Sequence, residues 1–340
     1  LPTRVPDDLG ILESVAVVIP RCRHVRIDEA RLAEVCAGIE ADDLKLPTWD
    51  APVFFPTEDG GRPPWPATVQ HSPGAHLRAA QILLFNTVNF CYWGEPKWEV
   101  TYGGQRWDGS MAMLAALRRA LEEGFPVLDG AYLARLSETE LAHIVRGSGQ
   151  LQLIAERAMI LRAAGRILSE EFAGRFENVI TAAGGDALAL VRLLVERFPS
   201  FEDVWPVDGQ QVRFYKRAQL ATAMLYEAFG GHGWGSLAGT DRLTVFADYK
   251  LPQVLRRLEI LVYDGELAGA VDSRTLIPPG DRREVEIRAT TVWAAELMGR
   301  ALAERLPDVT ALHLDYWLWA AGRYQGPKTK PYHRTVTTAY

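Results

Sequence analysis

Apolar residues return at mixed three- and four-residue steps through most of this chain, a pattern that predicts mainly α structure. The pattern is most informative from Val212 to Leu255, which reads as a helix, a glycine-rich turn, a short loop and a second helix. The first helix is expected over about Tyr215–Phe229, with Phe214, Ala218, Leu220, Ala221, Met224, Leu225 and Phe229 on its apolar stripe. Gly230, Gly231, Gly233 and Gly235 end it, because glycine tolerates the left-handed geometry of a helix exit. The second helix resumes after Phe246-Ala247-Asp248-Tyr249, with Pro252 in its first turn. Two charges, Lys216 and Asp248, stand inside this mostly apolar text and point to a site built across the turn.

The rest of the chain carries the same pattern with local punctuation. Asp7 or Asp8 is placed to cap a helix running into Val18, and Asp28 to cap one burying Leu32, Val35, Cys36 and Ile39. Residues 46–74 hold seven prolines among Trp49, Phe54, Phe55 and Trp65, which predicts an irregular wrap packed over the body. Residues 75–95 predict a very apolar helix ending in Phe90, Tyr92 and Trp93, with Asn86 and Asn89 needing buried partners. Gly103-Gly104 sits between two short β-like runs and predicts a hairpin, a small ribbon and no large sheet. Helices follow to about Val204, one opened by Ser137 and one by Asp186, with Leu188, Val191, Leu194 and Val195 buried. A glycine turn at Gly209 leads into the central segment. After the break at Pro278-Pro279-Gly280 a long helix restarts, carrying Glu284 and Glu286 near its N-terminus. The fold class expected is a mainly α, multi-helix single domain over 1–340 with a small β-hairpin.

Composition narrows the function classes. The 340 residues are 48% hydrophobic and 24% charged, with a net charge of -6, which argues against a dedicated nucleic-acid binder and leaves room for one basic pocket. Cys22, Cys36 and Cys91 are odd in number and form no CxxC pair, so neither a disulfide framework nor a zinc site is expected, and the compartment reads as reducing and cytoplasmic. No apolar run approaches the roughly 20 residues that span a bilayer, and the first residues lack a signal-peptide layout. There is no phosphate loop of the GxxxxGK[ST] type, no strand-linked GxGxxG, no HExxH and no GxSxG. That leaves carboxylate-based hydrolysis or lyase chemistry, or a binding role, with no metal or cofactor expected.

Cleavage of an N-glycosidic bond develops positive charge on the sugar, and a carboxylate beside the anomeric carbon stabilises it and orients water. Asp248 fits that task, with Lys216 to hold a substrate phosphate or set the ionisation of the aspartate. The two residues equally fit a plain ion pair bridging the turn. Phe90 and its neighbours read either as core or as a platform on which a flat base stacks. Asp315, between Leu314 and the pair Trp317 and Trp319, is a carboxylate that must be paired or functional. His333 and Arg334 read as a solvated tail or as a phosphate clamp.

A series of tokens then runs in order: NFCYW at 89–93, FPSFEDV at 198–204, FYKRAQ at 214–219, FADY at 246–249, LPQVL at 251–255, EVEIR at 284–288, LDYWLW at 314–319 and HR at 333–334, with Tyr340 last. Over nearly the whole chain this resembles the queuosine-salvage proteins, the queuosine 5′-phosphate N-glycosylases. The resemblance implies a helical fold similar to that of DNA glycosylases and hydrolysis of queuosine 5′-monophosphate to queuine and ribose 5-phosphate. Carried over, it makes Asp248 the catalytic carboxylate and Lys216 its partner, with Phe90, Trp93 and Tyr249 as aromatic walls. Asp203, Glu284, Glu286 and Asp315 become candidates for the base edge or for the amine and diol of the queuine side arm, and His333 and Arg334 for the phosphate. Met111 departs from the family, where an aromatic stands. The leaving group is a 7-deazapurine without N7, so its departure demands strong stabilisation of the sugar cation or protonation elsewhere on the heterocycle. The expected partner is this small-molecule substrate, bound by a monomer that holds no nucleic acid stably. A non-catalytic binder of a modified nucleotide or tRNA is the alternative from another class, and a DNA or RNA glycosylase a third that the acidic balance disfavours.

Overall fold

The computed structural model describes residues 6–47, 74–323 and 329–340. The proline and aromatic wrap expected over 46–74 falls on residues 48–73, outside the described ones. Among the described residues the elements are α1 (Ile11–Val18), β1 (Val25–Ile27), α2 (Glu29–Ala37), α3 (Ala75–Thr87), β2 (Glu99–Tyr102), β3 (Gln105–Asp108), α4 (Gly109–Glu122), α5 (Gly130–Leu133), α6 (Glu138–Ile144) and α7 (Ile154–Glu171). They continue with α8 (Phe176–Ala182), α9 (Ala187–Arg197), β4 (Val204–Val207), β5 (Gln210–Arg213), α10 (Lys216–Ala228), α11 (Lys250–Arg257), β6 (Leu261–Tyr263), α12 (Gly265–Asp272), α13 (Arg282–Leu302) and α14 (Ala311–Arg323). The fold is mainly α, as the periodicity predicts, and the sheets among the described residues are three two-stranded antiparallel pairs.

The chain divides into two compact units, one of Leu1–Pro47, Asp203–Gln219 and Asp241–Val336, the other of Thr48–Glu202, Leu220–Thr240 and Thr337–Tyr340. In the first, α13 is the axis. Valine, isoleucine, alanine and methionine along it bury against α1, α2, α11, α14 and β1. Asp28 caps α2 through the N–H of Arg31, and Asp7 Oδ1 takes the N–H of Ile11 at 2.9 Å at the start of α1. Strand β1 pairs with β6 across more than two hundred residues, Val25 opposite Tyr263. Strands β4 and β5 form a hairpin whose turn residues, Asp208 and Gly209, both have positive φ, 47° and 77°. An Asp-Gly pair is suited to that mirror-image turn.

The second unit is built around α3, which is buried along almost its whole length and contacts α4, α7 and α8. Its polar residues find partners as expected: Asn86 Nδ2 donates to Ile82 O at 3.0 Å, and Asn89 Nδ2 to Asn86 Oδ1 at 3.3 Å. The hairpin β2–β3 turns at Gly103-Gly104, and Ser137 and Asp186 cap α6 and α9. Gly230 and Gly231 leave the end of α10 in left-handed backbone, whereas Gly235 is needed for a different reason. A Cβ there would lie 2.5 Å from Leu225 O. No helix among the described residues is long and apolar enough to cross a membrane.

Candidate active site

Asp248 lies on the first unit, in the irregular stretch between Leu243 and α11. One of its oxygens is fixed by the N-terminus of that helix: Oδ1 accepts the N–H of Lys250 at 2.6 Å and of Leu251 at 3.2 Å. A helix N-terminus presents unpaired N–H groups and favours negative charge, so the sequence Asp-Tyr-Lys-Leu holds this carboxylate without any side-chain donor. Oδ2 accepts no hydrogen bond from the described residues, and the side chain is half-buried.

The stretch that carries Asp248 is held at Thr244, Phe246 and Ala247. Thr244 N–H donates to Gln219 Oε1 at 2.9 Å, and Gln219 Nε2 donates to Thr244 Oγ1 at 3.0 Å and Phe214 O at 2.9 Å. Phe246 N–H donates to Asp315 Oδ1 at 2.7 Å. Ala247 O accepts Arg288 Nε–H at 3.0 Å. Buried backbone groups outside helices need such partners, and here three different helices, α10, α13 and α14, supply them.

Lys216 opens α10 and is buried, 6% exposed. Burial holds its ammonium below the ordinary lysine range, with the charges of Asp248 and Asp315 opposing that shift and those of Arg217 and Arg288 adding to it. Asp315 keeps part of its surface accessible, yet its carboxyl is pushed up to about 7, first by desolvation and then by Asp248, while the Phe246 N–H and Lys216 pull it down. The structure thus brings Lys216, Asp248 and Asp315 within electrostatic reach of one another, two carboxylates and one ammonium.

The other acidic candidates are engaged by protein groups. Asp203, 3% exposed, takes both Nη atoms of Arg288 at 2.9 and 2.5 Å, Trp205 Nε1 at 2.9 Å and Lys216 N–H at 3.3 Å. Glu284 accepts Gly280 N–H at 3.2 Å and lies 3.4 Å from Arg288 Nη1. Glu286 accepts the N–H groups of Arg23 and His24, the latter at 2.7 Å, and Arg282 Nε at 2.7 Å. Its partners are the connection between α1 and β1 and its own helix.

Tyr249 packs on Tyr332, ring centroids 4.8 Å apart, and Lys250 Nζ stands over the Tyr332 ring at 4.9 Å. His333 is buried, and burial, followed by the charge of Arg288, pushes its imidazole down to about 3, so it is neutral at physiological pH. Arg334 lends its carbonyl to Ile277 N–H at 2.8 Å, which ties this terminal stretch to the first unit. Phe90 and Trp93 belong to the second unit, and both are buried. The Phe90 ring lies 4.1 Å from the guanidinium carbon of Arg157, which also binds the carbonyls of Val88, Phe90 and Cys91. Among the described residues no cluster of His, Cys, Asp and Glu is arranged to hold a metal ion.

Sequence reasoning missed Arg288, Gln219 and Tyr332. The signal for the first two was present: an arginine and a glutamine inside helical text whose neighbours are apolar. Both are fully buried, 0% exposed.

A model of the queuosine salvage protein family matches residues 70–340. A relative from Sphaerobacter thermophilus named queuosine 5′-phosphate N-glycosylase/hydrolase is 42% identical over 334 residues, 98% of each chain. Relatives of the same name from Bos taurus and Dictyostelium discoideum are 36% and 33% identical, over 81% and 80% of this chain and 86% and 81% of theirs. On these matches the chain belongs to the queuosine salvage protein family.

Proposed function

We propose that this protein is an N-glycosidase that hydrolyses queuosine 5′-monophosphate to queuine and ribose 5-phosphate. The observation that carries the reading is the carboxylate of Asp248, with one oxygen fixed by the α11 N-terminus and the other left to act. The relatives named above support the substrate.

In this reading Asp248 Oδ2 faces the anomeric carbon and opposes the positive charge that grows there as the base departs. The same oxygen then orients the water that adds to the sugar. Fixing Oδ1 from the backbone means that no reorganisation is needed during the reaction, which is where electrostatic catalysis gains most. Lys216 balances the two carboxylates. Asp315, its carboxyl pushed up to about 7, is the proton donor for a heterocycle without N7. Two carboxyl groups with separated ionisation are the usual division of labour in glycoside hydrolysis. Tyr249 with Tyr332 supplies an aromatic surface for the base, and Arg334 supplies positive charge for the phosphate.

Incubation of the protein with queuosine 5′-monophosphate, followed by chromatography, tests this directly. Free queuine appears with the wild-type chain and about 10²–10³-fold more slowly with Asp248→Asn. Tight binding of the nucleotide without release of the base would make the protein a binder instead.

A further inference from the structure

Helix α13 carries one arginine with 0% exposure, and its guanidinium is divided between the two chain segments that present Asp248 and Lys216. On one side, Arg288 Nε–H donates to Ala247 O at 3.0 Å, the carbonyl directly before Asp248. On the other, Nη1 and Nη2 grip the Asp203 carboxylate at 2.9 and 2.5 Å. Asp203 in turn gathers three successive amides. Its carbonyl takes the N–H of Phe214 at 2.9 Å and of Tyr215 at 3.5 Å, and Oδ2 takes that of Lys216 at 3.3 Å. Tyr215 has φ 48°, a left-handed conformation that L side chains rarely adopt, so this turn into α10 is held by its surroundings. The Phe214 ring lies 4.0 Å from the guanidinium carbon of Arg288 and covers it.

A buried ion pair contributes little net stability, because desolvation offsets the attraction. Geometry is what it supplies. The planar fork of arginine binds a carboxylate with two parallel bonds and still has Nε–H for a carbonyl, which a lysine cannot do. We infer that the Arg288–Asp203 pair is a positioning device that sets where the Asp248 carboxylate and the Lys216 ammonium stand relative to each other. The inference rests on the hydrolase reading above and adds to it two residues that do not touch substrate. Glu284, 3.4 Å from Arg288 Nη1, closes the same network.

The test is steady-state kinetics on queuosine 5′-monophosphate, with thermal unfolding, for wild type, Asp248→Asn, Arg288→Lys and Trp205→Phe. Arg288→Lys lowers kcat by about 10²-fold, the size expected of a displacement of roughly 1 Å in a catalytic group. KM changes by less than about 3-fold, since no substrate contact is removed. Trp205→Phe deletes the indole N–H on Asp203 Oδ1, together with part of the ring packed beside Gly280, and lowers kcat by a smaller factor at unchanged KM. A purely structural role would lower the unfolding temperature and leave kcat of the folded enzyme alone, and that result in Arg288→Lys overturns the inference. So does a raised KM with unchanged kcat, which marks a substrate contact. If Arg288→Lys does not fold, Trp205→Phe decides by the same split: reduced kcat supports the inference and wild-type kcat overturns it. An inactive wild-type chain overturns the hydrolase reading, a fully active Asp248→Asn overturns the catalytic role of Asp248, and either takes the inference with it. A normal Arg288→Lys beside an inactive Asp248→Asn overturns the inference alone.

Discussion

Asp315 Oδ1 accepts the backbone N–H of Phe246 at 2.7 Å, so one carboxyl group on α14 anchors the loop that carries Asp248. The same group is raised to about 7, first by burial and then by the charge of Asp248. Holding the loop and holding a proton are therefore properties of one side chain.

If Asp315 donates its proton to the leaving base, kcat/KM falls as pH rises through about 7. Asp315→Asn keeps an oxygen for the Phe246 N–H and removes this limb, leaving a low, flat rate. Stability responds with a definite sign. The native state keeps a proton that the unfolded chain releases near pH 4, so rising pH destabilises the fold from about 4 to about 7, and the penalty is constant above that. Urea unfolding at pH 5 and pH 8 should show a smaller loss toward pH 8 in Asp315→Asn than in wild type.

Lys216 lowers the Asp315 carboxyl and Asp248 raises it. Lys216→Met therefore moves the basic limb of kcat/KM to a pH above the wild-type value, besides lowering the rate. Asp248→Asn moves the Asp315 titration the other way, and NMR of the Asp315 carboxyl reads it without needing turnover. Unchanged titration in both variants would refute the electrostatic grouping of the three side chains.

Asp248→Asn should lose about 10²–10³-fold in kcat, the usual effect of removing one preorganised electrostatic group, with most nucleotide affinity kept in calorimetric titration. Asparagine still caps a helix, so the fold is spared. Asp248→Ala also removes the acceptor for Lys250 and Leu251 N–H and costs a further ~1 kcal/mol of stability. The difference between the two variants separates the chemistry of this residue from its service to α11.

Local pattern made much of this legible. Helix α10 was expected over about Tyr215–Phe229 and spans Lys216–Ala228, and Pro252 does stand in the first turn of α11. Asp28, Ser137 and Asp186 cap the helices that their positions announce. Leu220 and Val195, read as stripe positions, are only half-buried, while Arg217 and Gln219 beside Leu220 are buried. The apolar stripe could not show this, because it assumes that polar residues face water. Pairings over long separations were also out of reach. The β1–β6 ladder and the Asp203–Arg288 pair join residues whose sequences contain no sign of each other. The β4–β5 hairpin was read only as a turn at Gly209, because a proline and two glutamines blur its alternation. The grouping of Glu284 and Glu286 with the site residues came from the motif, whereas the partners of Glu286 come from Arg23, His24 and Arg282.

Those partners make Glu286 a test of that grouping. Its carboxylate is 0% exposed and holds two backbone amides and one guanidinium. Removing one member of a buried charged set costs about 3–5 kcal/mol. Glu286→Ala should thus lower the urea midpoint markedly, with KM of the folded enzyme near the wild-type value. A large rise in KM at unchanged stability would return Glu286 to the substrate.

His333 gives the last prediction, with the opposite pH sign to Asp315. Its folded-state value of about 3 lies below the ordinary histidine value, so the imidazole is buried neutral while the unfolded chain takes up a proton. Stability on this account is complete above pH 6.5 and is lost as pH falls toward 3. At pH 5 the loss is about 2 kcal/mol, from 1.36 kcal/mol per pH unit over roughly 1.5 units. His333→Gln cannot titrate, so its urea midpoint should fall less between pH 7 and pH 5 than that of wild type, whatever its stability at pH 7. The comparison also bears on phosphate binding. A neutral imidazole offers a donor and no charge, so in the proposed reading the ionic share that these two residues give to phosphate affinity comes from Arg334. Loss of nucleotide affinity with added salt should be weaker in Arg334→Gln than in wild type, and the same in His333→Gln as in wild type. An equal change in slope for both variants would mean that His333 is charged in the complex.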